Sequence, residues 1–425
     1  MMKHNSWRVL TLTLAIVGAL VSTTWAQAPE TVLYNFDQTS TDVRFIQGGL
    51  VSDAAGNLYG PGTEGGASGF GGIYELSPGA GGWTEQVIYS FAGGTDGGNP
   101  GGNLIIDASG NLYGTVGSGG SGSCVGGCGQ VYELSPSGGG WTKTIIHSFV
   151  GGGGGQVPAS GVISDAAGNL YGTAIAGGAH GQGIIYKMSP SASGWTFSVL
   201  YSFKGGTGGF SPRSSLVIDS AGRLYGTTYA GGTSTNCFSG CGTVYQLTPP
   251  STGSFWTYQV LHSFNIADGE GPTSDSLVFD GAGNLYGTTT FGGTQPSEDG
   301  VVFELSPTAG GHWTETVLHS FGSGYEGALP QAGLTFDAQG NLWGTASGGG
   351  PNSNSGNVFE LTPVAGGHWN FARIYGFKGQ PNDGLSPRAK VIIDSLGNVY
   401  GTTEVGGTNN QGVVFELPGA ASRRR

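Results

Sequence analysis

Charge is scarce in this chain. Asp, Glu, Lys and Arg supply 10% of the 425 residues, and only 15 are basic against 27 acidic, for a net charge of −12. Nucleic-acid binding is excluded as an expectation, because neutralising phosphates takes clustered Lys and Arg. The one basic run is Arg423-Arg424-Arg425. Long apolar runs are missing after the first residues, so no membrane span is expected in the mature chain. No stretch carries the 3.6-residue apolar period of a helix. Gly-x-Ser-x-Gly, His-Glu-x-x-His and the P-loop are all absent, which removes the commonest hydrolase and nucleotide signatures. Cysteine is limited to two C-x3-C pairs, Cys124/Cys128 and Cys237/Cys241.

Glycine, by contrast, is abundant, at 87 residues. It follows no Gly-X-Y period, and 11% of residues are aromatic, so a packed core is affordable. The glycines punctuate a repeat. Gly56-Asn-Leu-Tyr-Gly60 recurs at Gly110, Gly168, Gly222 (with Arg223), Gly283, Gly340 (with Trp343) and Gly397 (with Val399), 54 to 61 residues apart. A period of that size means a solenoid or a propeller.

One repeat reads as four strands. In the second copy Leu104-Ile-Ile-Asp107 is the first strand. Asp107-Ala-Ser-Gly110-Asn111 is a tight turn, with glycine at the left-handed position. Leu112 to Thr115 is the second strand and Val131 to Leu134 the third, which Ser135-Pro136 is expected to stop. Thr142 to Phe149 is the fourth. Seven such units predict an all-β chain, a seven-bladed β-propeller of four-stranded blades. The last copy stops after Val414 to Leu417 and lacks a fourth strand, whereas Glu30-Thr-Val-Leu-Tyr-Asn-Phe36 matches Glu315-Thr-Val-Leu-His-Ser-Phe321. The N-terminal strand is therefore expected to complete blade seven, closing the ring and removing an open edge.

Three segments are expected. Residues 1–28 read as a signal peptide, with Lys3 and Arg8 before the apolar run Val9 to Val21 and small residues around Ala26 and Ala28. The alternative, an uncleaved anchor, conflicts with a run shorter than the roughly 20 residues a span needs. Residues 29–419 form the propeller, its strand 30–36 completing blade seven, and 420–425 a basic tail. No cysteine follows the leader and no sorting tail follows the repeats, so a freely secreted or periplasmic protein is expected, as a monomer. In an oxidising compartment the two cysteine pairs read as local disulfides.

The combination Asp-x-x-Gly-Asn-Leu-Tyr-Gly-Thr-Thr, a Gly-Gly loop, Val-Phe-Glu-Leu-Ser-Pro and Trp-Thr-Glu-x-Val-Leu-x-Ser-Phe, best seen at Asp280 to Thr289 and Val302 to Phe321, resembles the bacterial tandem repeat called GloVer. The resemblance covers essentially the whole mature chain. It implies an exported protein, often with a surface-anchoring tail that is not seen here, and it implies no catalytic residues. The order of Gly-Gly, Tyr and Trp is also similar to that of kelch propellers, at different spacings.

Candidate site residues are few. Asp53, Asp107, Asp165, Asp219, Asp280, Asp337 and Asp394 recur in every copy and read as turn residues. His147, His262 and His319 stand where Tyr89, Tyr201 and Tyr375 stand elsewhere, and read as packing residues. His312 and His368 precede the repeat Trp, and His180 is a lone loop residue. No catalytic residue is assigned. Ligand contacts are expected on the face that holds the two longer connections of each blade. There an aligned proline precedes Gly101, Ala159, Arg213, Thr273, Gln331 and Arg388, and repeat one offers Gln47. Arg213 and Arg388, roughly across the channel, either clamp a carboxylate or sulfate or merely solubilise the surface. Asp268, Glu270 and Asp275 either ligate Ca²⁺ or are solvated acids; no other cofactor is implied. The leading expectation is a non-catalytic binding or scaffold module for a glycan or extracellular protein. A carbohydrate-active or lactone-hydrolysing propeller enzyme with its site at the channel mouth, and a purely structural surface protein, are the alternatives.

Overall fold

A computed structural model describes residues 29–39, 41–158, 160–272, 277–322, 324–350 and 354–422. The expected leader, Ala159, Thr273, Asp275 and Arg423–Arg425 lie outside the described residues. Short runs of Val, Ile, Leu, Tyr and Thr between glycine turns give β-structure throughout, with only brief 3-10 turns between blades. Seven four-stranded antiparallel sheets follow in order, the blades of a β-propeller. Blades 1 to 6 span 51–90, 105–148, 163–202, 217–263, 278–320 and 335–376. Blade 5 carries an added strand, Glu270–Pro272, on Leu285–Phe291. Blade 7 takes Ile392–Ile393, Val399–Thr403 and Val413–Leu417 from the chain end and Thr31–Asn35 from its start, so the N-terminal strand closes the ring as expected.

The third strand departs from expectation. In blade 2 it runs Gln130–Ser137, straight through Pro136, which faces Trp141. The second strand pairs only as far as Leu134. Beyond it the proline has no inner neighbour to bond, so its missing N–H disrupts no ladder.

Every outer strand carries one extra residue opposite the third strand, such as Ile146 between the pairs Val131↔His147 and Tyr132↔Ile145. This bulge adds twist. Just beyond it a phenylalanine leaves each blade for the next. Phe36, Phe91, Phe149, Phe203, Phe264, Phe321 and Phe377 are fully buried. Each meets a third-strand aromatic edge-on, at 4.9–5.3 Å, from Phe36–Tyr74 round to Phe377–Phe415. Seven apolar clusters result, one between each pair of blades. The repeat's Leu-Tyr-Gly needs its glycine here: a Cβ at Gly114 would collide with the Tyr132 ring.

The recurring aspartates are turn residues. Asp107 accepts the backbone N–H of Ser109 and Asn111, the Asn111 amide and the Tyr113 hydroxyl at 2.8–3.1 Å. The same set recurs at Asp53, Asp165 and Asp280. Burial raises these carboxyls, but the hydrogen bonds outweigh it and hold all four below the ordinary range.

The packed chain runs past 419. Ala420 and Ala421 are buried, and the Ala421 N–H donates to Gly397 O. Small side chains fit there, so packing reaches into the segment expected to be tail. Both disulfides, Cys124–Cys128 and Cys237–Cys241, form within their pairs. Among the described residues no helix is long and apolar enough to cross a membrane.

Candidate functional site at the channel mouth

One face gathers both longer connections of every blade. The loop after each second strand donates a glycine N–H to the connection that enters its own blade, as in Gly120 to Gly94 O, Gly232 to Gly206 O and Gly407 to Asp383 O. The chain then enters the first strand through a left-handed residue: Phe45, Asn99, Val157, Ser211, Gly271, Leu329 and Ser386, with φ between 54 and 60°. Six of the seven are not glycine, and each of those costs on the order of 1 kcal/mol. Two hydrogen bonds offset that strain. The Val157 N–H donates to Cys128 O of the preceding blade, and the Val157 carbonyl accepts from Ile175 N–H of its own. The kink aims the residue two positions later at the axis.

Five of the seven residues expected at this position are described, and they meet around the axis. Gln47, Gly101, Arg213, Gln331 and Arg388 all line a central cavity of about 620 Å³. Thr273 and Ala159 lie outside the described residues. A second ring, which the sequence reading missed, stands beside the first: the residue just after each Leu-Tyr-Gly-Thr strand. Thr63, Gly117, Ile175, Tyr229 and Thr290 line the cavity, and Glu404 holds this position in blade 7. The signal was present, because this position holds six different residue types in seven copies while the strand before it barely changes.

The two arginines are not equivalent. Arg388 Nε lies 2.7 Å from Glu404 Oε2, and Gln47 Nε2 donates to Glu404 Oε1 at 2.6 Å. Arg388 is therefore neutralised, and two open guanidiniums do not face each other across the mouth. Arg213 lies over the Tyr229 ring, 4.3 Å from its centroid, and has no ion pair among the described residues. In a chain of net charge −12, it is an isolated exposed cation on an aromatic plate.

Of the acids proposed for Ca²⁺, the two described ones, Asp268 and Glu270, take different paths. Asp268 turns back to cap its own loop, accepting Asn265 N–H at 2.7 Å, and faces His262 and Glu315. Glu270 is drawn into the added strand of blade 5 instead, and Asp275 lies outside the described residues. His147 and His319 are packing residues, stacked at 4.0 and 4.1 Å on Phe197 and Phe371; burial pushes both down to about 4. A second cavity of about 680 Å³ opens between blades 4 and 5, lined by turn residues such as Asp280 and by Trp313. Arg223 lines it, paired with Asp219 at 2.6 Å, where the six other copies carry Asn.

The family model of the Gloeobacter/Verrucomicrobia repeat matches residues 15–237, 121–355 and 314–424. The chain belongs to this repeat family. As a Gloeobacter/Verrucomicrobia repeat protein it has no sequence match among curated proteins. It is similar in structure to a crystallised protein from Lactobacillus plantarum, at 17% identity and a TM-score of 0.51, over 82% of this chain and 88% of that one. It is likewise similar to a Bacteroides uniformis protein provisionally assigned as a 6-phosphogluconolactonase, at 15% identity and a TM-score of 0.51, over 85% and 97%. At such identities the likeness is one of fold.

Proposed function

We propose that this repeat protein is an exported, non-catalytic binding module, with residues 1–28 as its removed leader, and that its ligand sits in the channel mouth. The observation that carries this reading is the pair of rings. The second strand and the turn before it repeat almost unchanged from blade to blade, whereas the two positions facing the central cavity vary. Variation along a cavity wall suits recognition of a ligand. Side-chain amides at Gln47, Asn99 and Gln331 and the Thr63 hydroxyl, with the Arg213 cation, line the cavity and suit an acidic glycan or an acidic protein loop. The oxidised cysteine pairs favour an extracytoplasmic setting.

A second reading is a hydrolase acting on a lactone or sugar. A carboxylate, Glu404, sits behind the cavity-lining Gln47 and Arg388, in a cavity that the Arg213 cation also lines, and one protein of similar fold is provisionally assigned as a 6-phosphogluconolactonase. Against it, both Glu404 oxygens are engaged at 2.6–2.7 Å, which ties up the lone pairs that a general base needs. Glycan and polysaccharide binding screens with parallel hydrolysis assays separate the two. Binding without turnover supports the module. Turnover lost in Glu404→Gln supports the hydrolase. Neither binding nor turnover with any glycan, lactone or protein tested overturns both.

A further inference from the structure

The seven blade interfaces share one niche, built from three positions. The first is the Tyr or His at the end of an outer strand. The second lies in the following loop. The third lies two residues after the repeat Trp in the next outer strand. Between blades 1 and 2 these are Tyr89, Asp96 and Lys143. The Lys143 ammonium is enclosed, at 4% side-chain exposure, and donates to Asp96 Oδ1 at 2.9 Å, to Asp96 O and to Gln130 Oε1. This niche is one in which the fold accommodates a cation.

Other interfaces fill the third position differently. Phe197, Tyr258 and Phe371 stack flat on His147, Tyr201 and His319, at 4.0–4.2 Å. Glu30, Glu85 and Glu315 place a carboxyl there, and each leaves Oε1 buried without a hydrogen-bond partner. Buried oxygens of that kind are costly unless something neutralises them. At two of the three interfaces the first position is a tyrosine, Tyr375 or Tyr34, whose hydroxyl donates to the loop acid Asp383 or Asp42. Between blades 4 and 5 it is His262.

Only there, among the described residues, do an imidazole and two carboxylates meet. The ligating atoms of His262, Asp268 and Glu315 lie within 4.8 Å of one another. His262 Nε2 and Asp268 Oδ2 are 3.4 Å apart. Metal–ligand arms of about 2.0–2.1 Å at tetrahedral angles give an edge of roughly 3.3–3.4 Å. The loop is already set, because Asn265 N–H and its side-chain amide hold both Asp268 oxygens, at 2.7 and 2.6 Å.

We propose that the niche between blades 4 and 5 is a site for a divalent cation of the zinc class, ligated by His262, Asp268 and Glu315. A nitrogen with two carboxylate oxygens suits zinc or cobalt rather than calcium, which takes six to eight oxygens. Three protein ligands leave a coordination position for water. Such an ion would do between blades 4 and 5 what Lys143 does between blades 1 and 2, tying two blades together through an enclosed positive charge.

The test uses protein purified without an affinity tag and stripped with EDTA. Calorimetric titration with Zn²⁺ should show one site per chain, with a raised melting temperature, and Co²⁺ should give a visible d–d spectrum. Glu315→Phe recreates the His–Phe stack of the neighbouring interface, so the fold should tolerate it, yet affinity should fall by roughly 100-fold or more, beyond what loss of an outer-shell partner costs. His262→Tyr, which copies Tyr375, should lose the Co²⁺ spectrum as well. Glu85→Phe, at an interface without histidine, should bind like the parent. The proposal is overturned if the parent takes up no stoichiometric Zn²⁺ or Co²⁺, if Glu315→Phe binds as tightly as the parent, or if only Ca²⁺ binds.

Discussion

The ring of Phe36 stands edge-on to that of Tyr74, with centroids 4.9 Å apart. Phe36 follows the strand that closes blade 7, and Tyr74 belongs to blade 1. The contact has the same edge-on geometry as the six others, yet it alone depends on the N-terminal segment. Phe36→Ala should therefore cost about 3–5 kcal/mol, the range for a fully buried phenylalanine. Deleting residues 29–36 should expose the edge of Val413–Leu417 and drive aggregation. Thermal melts with light scattering check both. A truncated monomer as stable as the parent would contradict the closed ring.

At the mouth, Arg213→Ala should weaken binding of an acidic glycan or acidic protein ligand about 5–30-fold, with little change in melting temperature. The guanidinium is exposed and its stack on Tyr229 is worth on the order of 1 kcal/mol. Arg388→Ala should behave differently. It strips Glu404 of its cation and leaves an unpaired carboxylate beside the cavity wall, so it should weaken an anionic ligand by repulsion; Arg388→Ala combined with Glu404→Gln should restore most of the affinity. Titrations at rising salt check the electrostatic part, since screening acts over about 8–10 Å.

Stability should peak on the acid side of neutrality. Burial pushes Glu30 up to about 8 and Glu85 up to about 7, helped by Asp383 and Asp42 respectively; Lys378 and Tyr375 beside Glu30, and Tyr34 beside Glu85, pull the other way. Both pKa values lie above the unfolded value of 4.5, so the folded state holds more protons between these limits. The stabilisation is full below pH 4.5 and fades as pH rises through 7 to 8. The turn carboxylates of Asp53, Asp107, Asp165 and Asp280 act oppositely, being depressed, and their contribution goes as pH falls below the ordinary 3.8. His147 and His319, held down to about 4, act in that same sense, since the unfolded chain takes up their protons as pH falls below the ordinary 6.5; a broad, shallow maximum at about pH 5–6 follows. Melting curves in EDTA from acid to mildly alkaline pH should show it. Glu30→Gln and Glu85→Gln should flatten the neutral limb, and an unchanged slope would remove these groups as its cause.

Four hydroxyls tell against their own packing. Tyr74, Tyr132, Tyr186 and Tyr245 are fully enclosed, and each Oη has no hydrogen-bond partner. Blades 5 to 7 place Phe303, Phe359 and Phe415 at the same point. Tyr132→Phe should be neutral or stabilise by about 1 kcal/mol, because an unsatisfied buried hydroxyl carries a desolvation cost. A clear loss of melting temperature would point to a buried water on Oη.

Much of this was legible in the chain. The blade number follows from spacing, because a period of four short strands leaves few ways to bury both faces; the closing strand follows from its match to Glu315–Phe321, and the role of Asp107 and its counterparts from the turn they share. The ring from Gln47 to Arg388 was legible too, through its aligned prolines. What escaped were properties of pairs. Glu404 neutralises Arg388 across a turn, and Glu315 meets His262 across a blade interface; neither partner is marked by its own repeat. Pro136 was misread for a related reason. Whether a proline ends a strand depends on whether a neighbour needs its N–H, and the neighbour lies in another strand.

The join between the chain's two ends has a consequence in time. Asn35 holds Thr408, 373 residues further along, at 3.0 Å. Contact order at this one seam is close to its maximum, while within each blade it is low. Blades can form one after another as the polypeptide emerges, but the first strand must stay unpaired until the last blade arrives. Throughout that interval an apolar segment and a bare sheet edge coexist in one molecule. Crossing a membrane before folding would shorten that exposure, since nearly the whole chain would then be available to close at once.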